Sequence, residues 1–217
     1  MIEHDGHLHT GNTGTTCLID TLTRYGRPEV MYQIATTPTY PGWGYMIENG
    51  ATVIWKSWGA DVHIDTQISS GGESMIMWAT IDEFLYNDLA GIQGPDYYGP
   101  SSFAPGFKQI VIKPQVVGDL KYAGASVKTV RGIVSSHWKR KGRAITLDVV
   151  IPVNSTARVS VPKAGLQDVL VTESGRTIWE AGNFVQAVSG IAVGSETDDG
   201  VTFDVGSGSY AFQLTGR

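Results

Sequence analysis

Cys17 is the only cysteine in the chain, so no internal disulfide framework can hold the fold. It sits on an apolar helical pattern and reads as a small, buried, inert thiol. No run of 18 apolar residues occurs, which excludes a membrane-spanning helix. The basic residues form no long run and the formal net charge is −5, which argues against nucleic acid as a partner. The opening Met1-Ile2-Glu3-His4-Asp5 lacks the charged and apolar regions of a signal peptide, so a full-length chain would be cytoplasmic. There is no Gly-x-Ser-x-Gly elbow. Val205-Gly206-Ser207-Gly208-Ser209 is glycine-rich, but no Lys-Ser/Thr follows and the next pattern is a strand, so it is not a phosphate loop. It reads as a hairpin turn.

Hydrophobic residues make up 41% of the 217, enough for a substantial core and for one large or two small domains. The two halves differ in hydrophobic period. Over residues 12–92 the spacing is helical. Asn12, Thr13 and Thr15 offer N-caps; Leu18, Leu22 and Tyr25 share a face, and Gly26 ends that helix. Pro28 opens a second, with Val30, Met31 and Ile34 on its buried side. A short helix is expected near Trp43–Glu48. The longest is expected from Ser74 to Leu89, and its apolar residues cover most of the circumference, so it should be buried on all sides. Too few other helices are encoded to bury it, which predicts cover from outside the chain.

Gly91, Gly94, Pro95, Gly99, Pro100, Pro105 and Gly106 punctuate a loop over 93–106. From Phe107 the pattern turns to β. Ten short strands are expected between Gln109 and Leu214, among them Ala144–Ile151 and Val201–Val205. Turns are expected at Lys141-Gly142, Asn154-Ser155, Ser174-Gly175 and Asp199-Gly200. Short strands at regular spacing argue a sandwich or barrel.

Several stretches carry a resemblance. Thr39-Tyr40-Pro41-Gly42-Trp43-Gly44-Tyr45-Met46-Ile47-Glu48-Asn49-Gly50-Ala51-Thr52 resembles a segment of the bacterial α-L-rhamnosidases of glycoside hydrolase family 78. Gly6-His7-Leu8-His9-Thr10-Gly11, Leu89-Ala90-Gly91-Ile92, Pro105-Gly106-Phe107-Lys108-Gln109-Ile110 and Gly132–Trp138 are similar to later and earlier stretches of the same family, in the same order. The resemblance implies an α+β chain in two parts. Residues 1–106 would be the last helices of an incomplete (α/α)6 six-hairpin toroid with a connecting loop, and 107–217 an all-β antiparallel sandwich. It implies a rhamnose-containing saccharide or glycoside as substrate, and no cofactor.

Inverting glycoside hydrolysis uses two carboxyl groups about 6.5–9.5 Å apart, one acid and one base. The resemblance places the acid in an earlier region that this chain does not carry. It places the base after Ala51-Thr52-Val53-Ile54-Trp55, where this chain has Lys56, a cation at neutral pH. Where the family has a histidine-containing segment before its last long helix, this chain has Glu73-Ser74-Met75. Lys56 and Glu73 are therefore the candidate catalytic positions, either as a swapped charge pair or as solvated surface residues. His4, Asp5, His7 and His9 resemble metal ligands, but their spacing fits no closed tetrahedral site and no cysteine helps, so no metal is expected. The resemblance implies that His7 or His9 lines a sugar pocket; a plain terminal loop is the other reading. Trp43, Tyr45, Trp55 and Trp58 are dense for so short a stretch. They serve either to stack on sugar C–H faces or to pack between helices. Trp78, Trp138 and Trp179 read as core.

Three functional readings follow. The chain is the C-terminal part of a rhamnosidase-like hydrolase and inactive alone; or it works with a second chain or further copies that complete the barrel; or it is a carbohydrate-binding, structural or oligomerisation module without catalysis.

Overall fold

The computed structural model describes residues 6–55, 76–93, 106–185 and 188–217. The chain divides into two compact units, Met1–Phe84 and Leu85–Arg217. Among the described residues no helix is long and apolar enough to cross a membrane.

The first unit is helical. α1 spans Asn12–Arg24, α2 Pro28–Thr36 and α3 Trp43–Glu48. Pro28 opens α2, where a missing N–H costs nothing, and Met31 and Ile34 are its buried residues. On α1 the buried positions are Thr15, Ile19 and Leu22, spaced by four and three residues along one face. That differs from the face expected through Tyr25, which is 75% exposed. Cys17 is exposed as well, contrary to the buried thiol expected. It lies about 200° around the helix from Ile19, on the opposite side. α3 crosses the end of α2 so closely that a Cβ on Gly44 would stand 2.4 Å from the carbonyl oxygen of Thr37.

The expected long helix at the end of this unit is not continuous. Ser74 and Met75 lie outside the described residues. Beyond them comes a 3-10 turn, Ile76–Trp78, then a single α-turn at Ile81–Glu83 and a π-helical segment at Phe84–Leu89. Thr80 explains the first break: its hydroxyl donates to the Met77 carbonyl at 2.6 Å, competing with the regular ladder. The π register shows in the bond from Ala90 N–H to the Leu85 carbonyl, 3.0 Å. Burial is also divided. Trp78, Ile81, Phe84 and Leu89 are buried, while Ile76 is 81% exposed and Met77, Leu85 and Tyr86 are exposed too. So a stripe of this segment finds cover within the chain and the opposite side does not.

The second unit is a sandwich of two mostly antiparallel sheets. The five-stranded sheet runs in the order β1 (Ile92–Gln93), β2 (Gln109–Ile112), β6 (Thr156–Pro162), β11 (Gly200–Val205), β10 (Ile191–Glu196). Only β2 and β6 pair in parallel among the described strands. The seven-stranded sheet runs β3 (Tyr122–Thr129), β4 (Gly132–Lys141), β5 (Ala144–Ile151), β12 (Gly208–Thr215), β7 (Leu170–Glu173), β8 (Arg176–Glu180), β9 (Asn183–Phe184). β12 is thus an interior strand, paired on one side with β5 and on the other with β7.

Alternation along each strand sends every second residue into one core. Ile110, Ile112, Val159, Val161, Val201 and Phe203 face Val134, Trp138, Leu147, Val149, Phe212 and Leu214. Phe203 stacks on Phe212 with ring centroids 5.6 Å apart, and Trp179 meets Phe203 edge-on at 6.5 Å. Trp78, Trp138 and Trp179 are all buried, as expected. Val205–Ser209 is not a hairpin turn, because β11 and β12 belong to different sheets. It is the crossover between them. The Tyr210 hydroxyl lies 3.1 Å from the Gly206 carbonyl and 3.3 Å from that of Gly190, and holds the crossover down.

Leu89, Ala90 and Gly91 enter this unit with their carbonyls already engaged. Trp138 Nε1 donates to the Leu89 carbonyl at 2.7 Å and Ser136 Oγ to that of Ala90 at 2.6 Å. Lys113 N–H donates to Gly91 at 2.8 Å. A segment with no ladder of its own satisfies its buried acceptors this way.

Candidate functional site

The densest group of candidate residues is in the helical unit, on the segment joining α2 to α3 and on the extended stretch before α1. Leu8, 1% exposed, anchors that stretch. Beside it the half-buried His7 turns its Nε2 to the Thr39 hydroxyl at 2.7 Å. Thr39 was not singled out from sequence; it lies 32 residues away and only the fold joins the two. His9 is exposed.

Next to Thr39 the rings form a chain. Tyr40 meets Tyr45 edge-to-face at 5.7 Å and 88°, and Tyr45 meets Trp55 at 6.3 Å and 83°. Both are favourable T-shaped contacts. Tyr40 is exposed, and Tyr45 and Trp55 are half-buried, so the group keeps some ring surface open. Trp43 stands apart from it: 5% exposed, it donates from Nε1 to the Trp78 carbonyl at 2.9 Å and fastens α3 to the following segment. Lys56, Trp58, Glu73, His4 and Asp5 lie outside the described residues.

The matches to known proteins cover both units. The family model for the six-hairpin glycosidase domain of bacterial α-L-rhamnosidases matches residues 1–89, and that for their C-terminal domain matches residues 99–176. The chain belongs to the bacterial α-L-rhamnosidase family. A relative from Streptomyces avermitilis, named an α-L-rhamnosidase, is 31% identical over 217 residues, which is 97% of this chain and 18% of that protein. The solved α-L-rhamnosidase of Dictyoglumus thermophilum superposes with a TM-score of 0.79 at 33% identity, over 99% of this chain and 22% of that one. The S. avermitilis structure, complexed with L-rhamnose, gives 0.68 at 30% identity, over 96% and 18%. The chain therefore spans about a fifth of the length of the rhamnosidases it matches.

The described carboxylates of the helical unit are Asp20, Glu29, Glu48, Asp82 and Glu83. Glu29 is tied to Arg27 at 2.6 Å. Glu83 is the one whose pKa is raised: partial burial, and then the charge of Asp20, lift it above the ordinary value of 4.5. A carboxyl whose folded pKa exceeds its unfolded one favours the folded state only while protonated. Its contribution is lost as pH rises from about the unfolded value through the raised one. Glu83→Gln is therefore expected to stabilise the protein at pH 7 by about half a kcal/mol, allowing for solvent screening. The gain should vanish near pH 4, in thermal melts of both variants at the two pH values. An equal gain at both would show that charge is not the cause.

Proposed function

We propose that this chain supplies part of the sugar-binding wall of an α-L-rhamnosidase acting on terminal α-L-rhamnosides with inversion, and that the 217-residue polypeptide alone turns none over. The observation that carries this reading is the open chain of rings Tyr40, Tyr45 and Trp55 beside the His7–Thr39 pair. Aromatic faces stack on the C–H side of a sugar, and an imidazole with a fixed hydroxyl partner presents a polar group at its rim. His9 and Trp43 take lesser parts in the proposal, His9 at the entrance and Trp43 as the anchor of α3.

Two further points support inactivity of the chain by itself. Among the described residues, three helices and the short turns after them are far from the six hairpins of the toroid. Lys56, at the position of the base, is a cation at neutral pH and cannot accept a proton from water, and Glu73 would be its swapped partner. The domains proposed are residues 1–106, ending the toroid, and 107–217, the sandwich that follows it. The test is release of nitrophenol from nitrophenyl α-L-rhamnoside by size-fractionated protein. Monomer fractions should release none. Turnover by a monomer after stringent purification would overturn the proposal.

The second reading, a structural or oligomerisation module, is favoured by the exposed apolar residues Ile47 and Ile76, 72% and 81% exposed. Apolar surface of this kind calls for cover by a second chain completing the toroid or by another copy. An activity that appears only in the larger fractions would place the chain in such an assembly.

A further inference from the structure

The sandwich gathers much of the chain's positive charge in one stretch. Residues 121–143 contain Lys121, Lys128, Arg131, Lys139, Arg140, Lys141 and Arg143 and no Asp or Glu, leaving nine basic residues elsewhere against all 21 acidic ones. Four of them, Lys139, Arg140, Lys141 and Arg143, fall within residues 139–143, and the pairing of β3 with β4 brings Lys121 beside them, so that five lie at one end of β3–β4–β5. Tyr122 lies opposite Lys139, and Arg140 N–H donates to the Lys121 carbonyl at 2.7 Å. The turn from Lys141 to Ala144 adds Lys141 and Arg143, both exposed. None of the five forms an ion pair with a described residue; the described pairs all use other cations.

The outer face of the same strands is a polar track; its exposed carboxylate, Asp148, lies opposite His137, away from the cationic end. Tyr122, Gly124, Ser126 and Lys128 alternate outward on β3, while Trp138 and Leu147, of the opposite parity on β4 and β5, are buried in the core. Tyr122 is 70% exposed at the cationic end. Gly124 leaves room for the His137 ring, which lies where a Cβ would be, with Nε2 3.4 Å from the Ser126 hydroxyl. Lys128 closes the track roughly 20 Å from Tyr122, six residues along at about 3.3 Å each.

We infer that this face binds an anionic polysaccharide, a chain bearing carboxylates along its length, with one sugar ring on Tyr122 and acidic groups on Lys139, Lys141 and Arg143. Like charges gathered at one end of a sheet raise the local positive potential and attract an anion that can contact several of them at once. An exposed tyrosine among them adds a stacking surface, as a sugar requires. The choice of a saccharide over other polyanions rests on the rhamnosidase reading above.

The test is native electrophoresis of the full chain through gels containing polygalacturonate, neutral dextran or duplex DNA. The protein should be retarded by polygalacturonate at low salt, progressively less as salt screens the contacts, and not by dextran. The triple variant Lys139→Glu, Lys141→Glu, Arg143→Glu should lose at least tenfold in apparent affinity. Tyr122→Ala should lose about threefold to tenfold. All four side chains are exposed, and circular dichroism confirms that the variants fold. Absence of retardation by polygalacturonate overturns the inference, as does a triple variant that binds like the parent. Equal retardation by DNA removes the saccharide assignment. Because the readout is binding, a failure here leaves the hydrolase reading standing, and a failure to find hydrolysis leaves this one standing.

Discussion

Gly91→Ala should lower the stability of the protein by more than about 3 kcal/mol, roughly 10 °C in melting temperature for a chain of this size. Two costs combine. Gly91 has φ +78°, which a Cβ disfavours by about 1–2 kcal/mol. The added carbon would also stand 2.2 Å from Pro114 N and 2.4 Å from the Lys113 carbonyl carbon. Those are backbone atoms that cannot rotate away, and overpacking costs about 1–3 kcal/mol or more. Relief would require the 88–91 segment to withdraw. That would strain the bonds it receives from Gln115, Trp138, Ser136 and Lys113. Gly142→Ala is the control: φ is similar, +59°, but nothing lies within 4 Å of the new carbon. It should cost only the conformational share, about 1–2 kcal/mol. If both variants melt at the same temperature, the close approach at Pro114 does not matter in the way argued.

Phe203→Ala should cost about 3–5 kcal/mol, as large aromatic truncations in a packed core do. Phe203 is fully buried on β11 and stacks across the sandwich on Phe212 of β12. Trp179 and Phe184 close on its edges at 6.5 and 6.4 Å. Gly194 on β10 is small so that this group fits; a Cβ there would stand 2.9 Å from the Phe203 ring. Removing the ring therefore opens a hole bordered by three aromatic side chains, none of which can fill it by a rotamer change. Urea titration followed by far-UV circular dichroism would show an earlier midpoint with an unchanged slope. Phe184→Ala, at a half-buried site, should cost less than half as much. A loss below about 1.5 kcal/mol at Phe203 would mean that the sheets close over the gap.

The parts of the fold legible in sequence are those where one period runs unbroken. Ala144–Ile151 and Trp43–Glu48 appear with the bounds expected, and Ser174-Gly175 forms a turn with φ of +48° and +79°. Arg176–Glu180 was not expected as a strand. Its two buried residues, Ile178 and Trp179, are adjacent, and its partner strand carries an irregularity between Val171 and Thr172, so no alternation survives to be read. Ile92–Gln93 is too short to show a period at all. The long final helix fails for a different reason: apolar content predicts burial but not the hydroxyl of Thr80 that interrupts it. On α1 the face was displaced because the buried Thr15 does not look apolar, while Tyr25 does.

At the candidate site, sequence points to His7 through the resemblance and to Tyr45 and Trp55 through the density of aromatic residues, but not to their company. Thr39 and Tyr40 open the resembling segment, yet their place beside His7 and Tyr45 comes from contacts made in the fold. The cationic end of β3–β5 is mostly a linear feature, Lys139 to Arg143; what strand pairing adds is Lys121 and the exposed ring of Tyr122 beside it.

The interior place of β12 has a kinetic meaning. Among the described strands, β5 and β7 are joined through β12, which follows the other eleven in sequence. During synthesis the β3–β4–β5 meander emerges early, with the edge of β5 waiting for a neighbour that the ribosome has yet to deliver. Nascent chains with waiting edges are the ones that aggregate. Assembly of the larger sheet therefore waits on β12 and is governed by long-range loop closure.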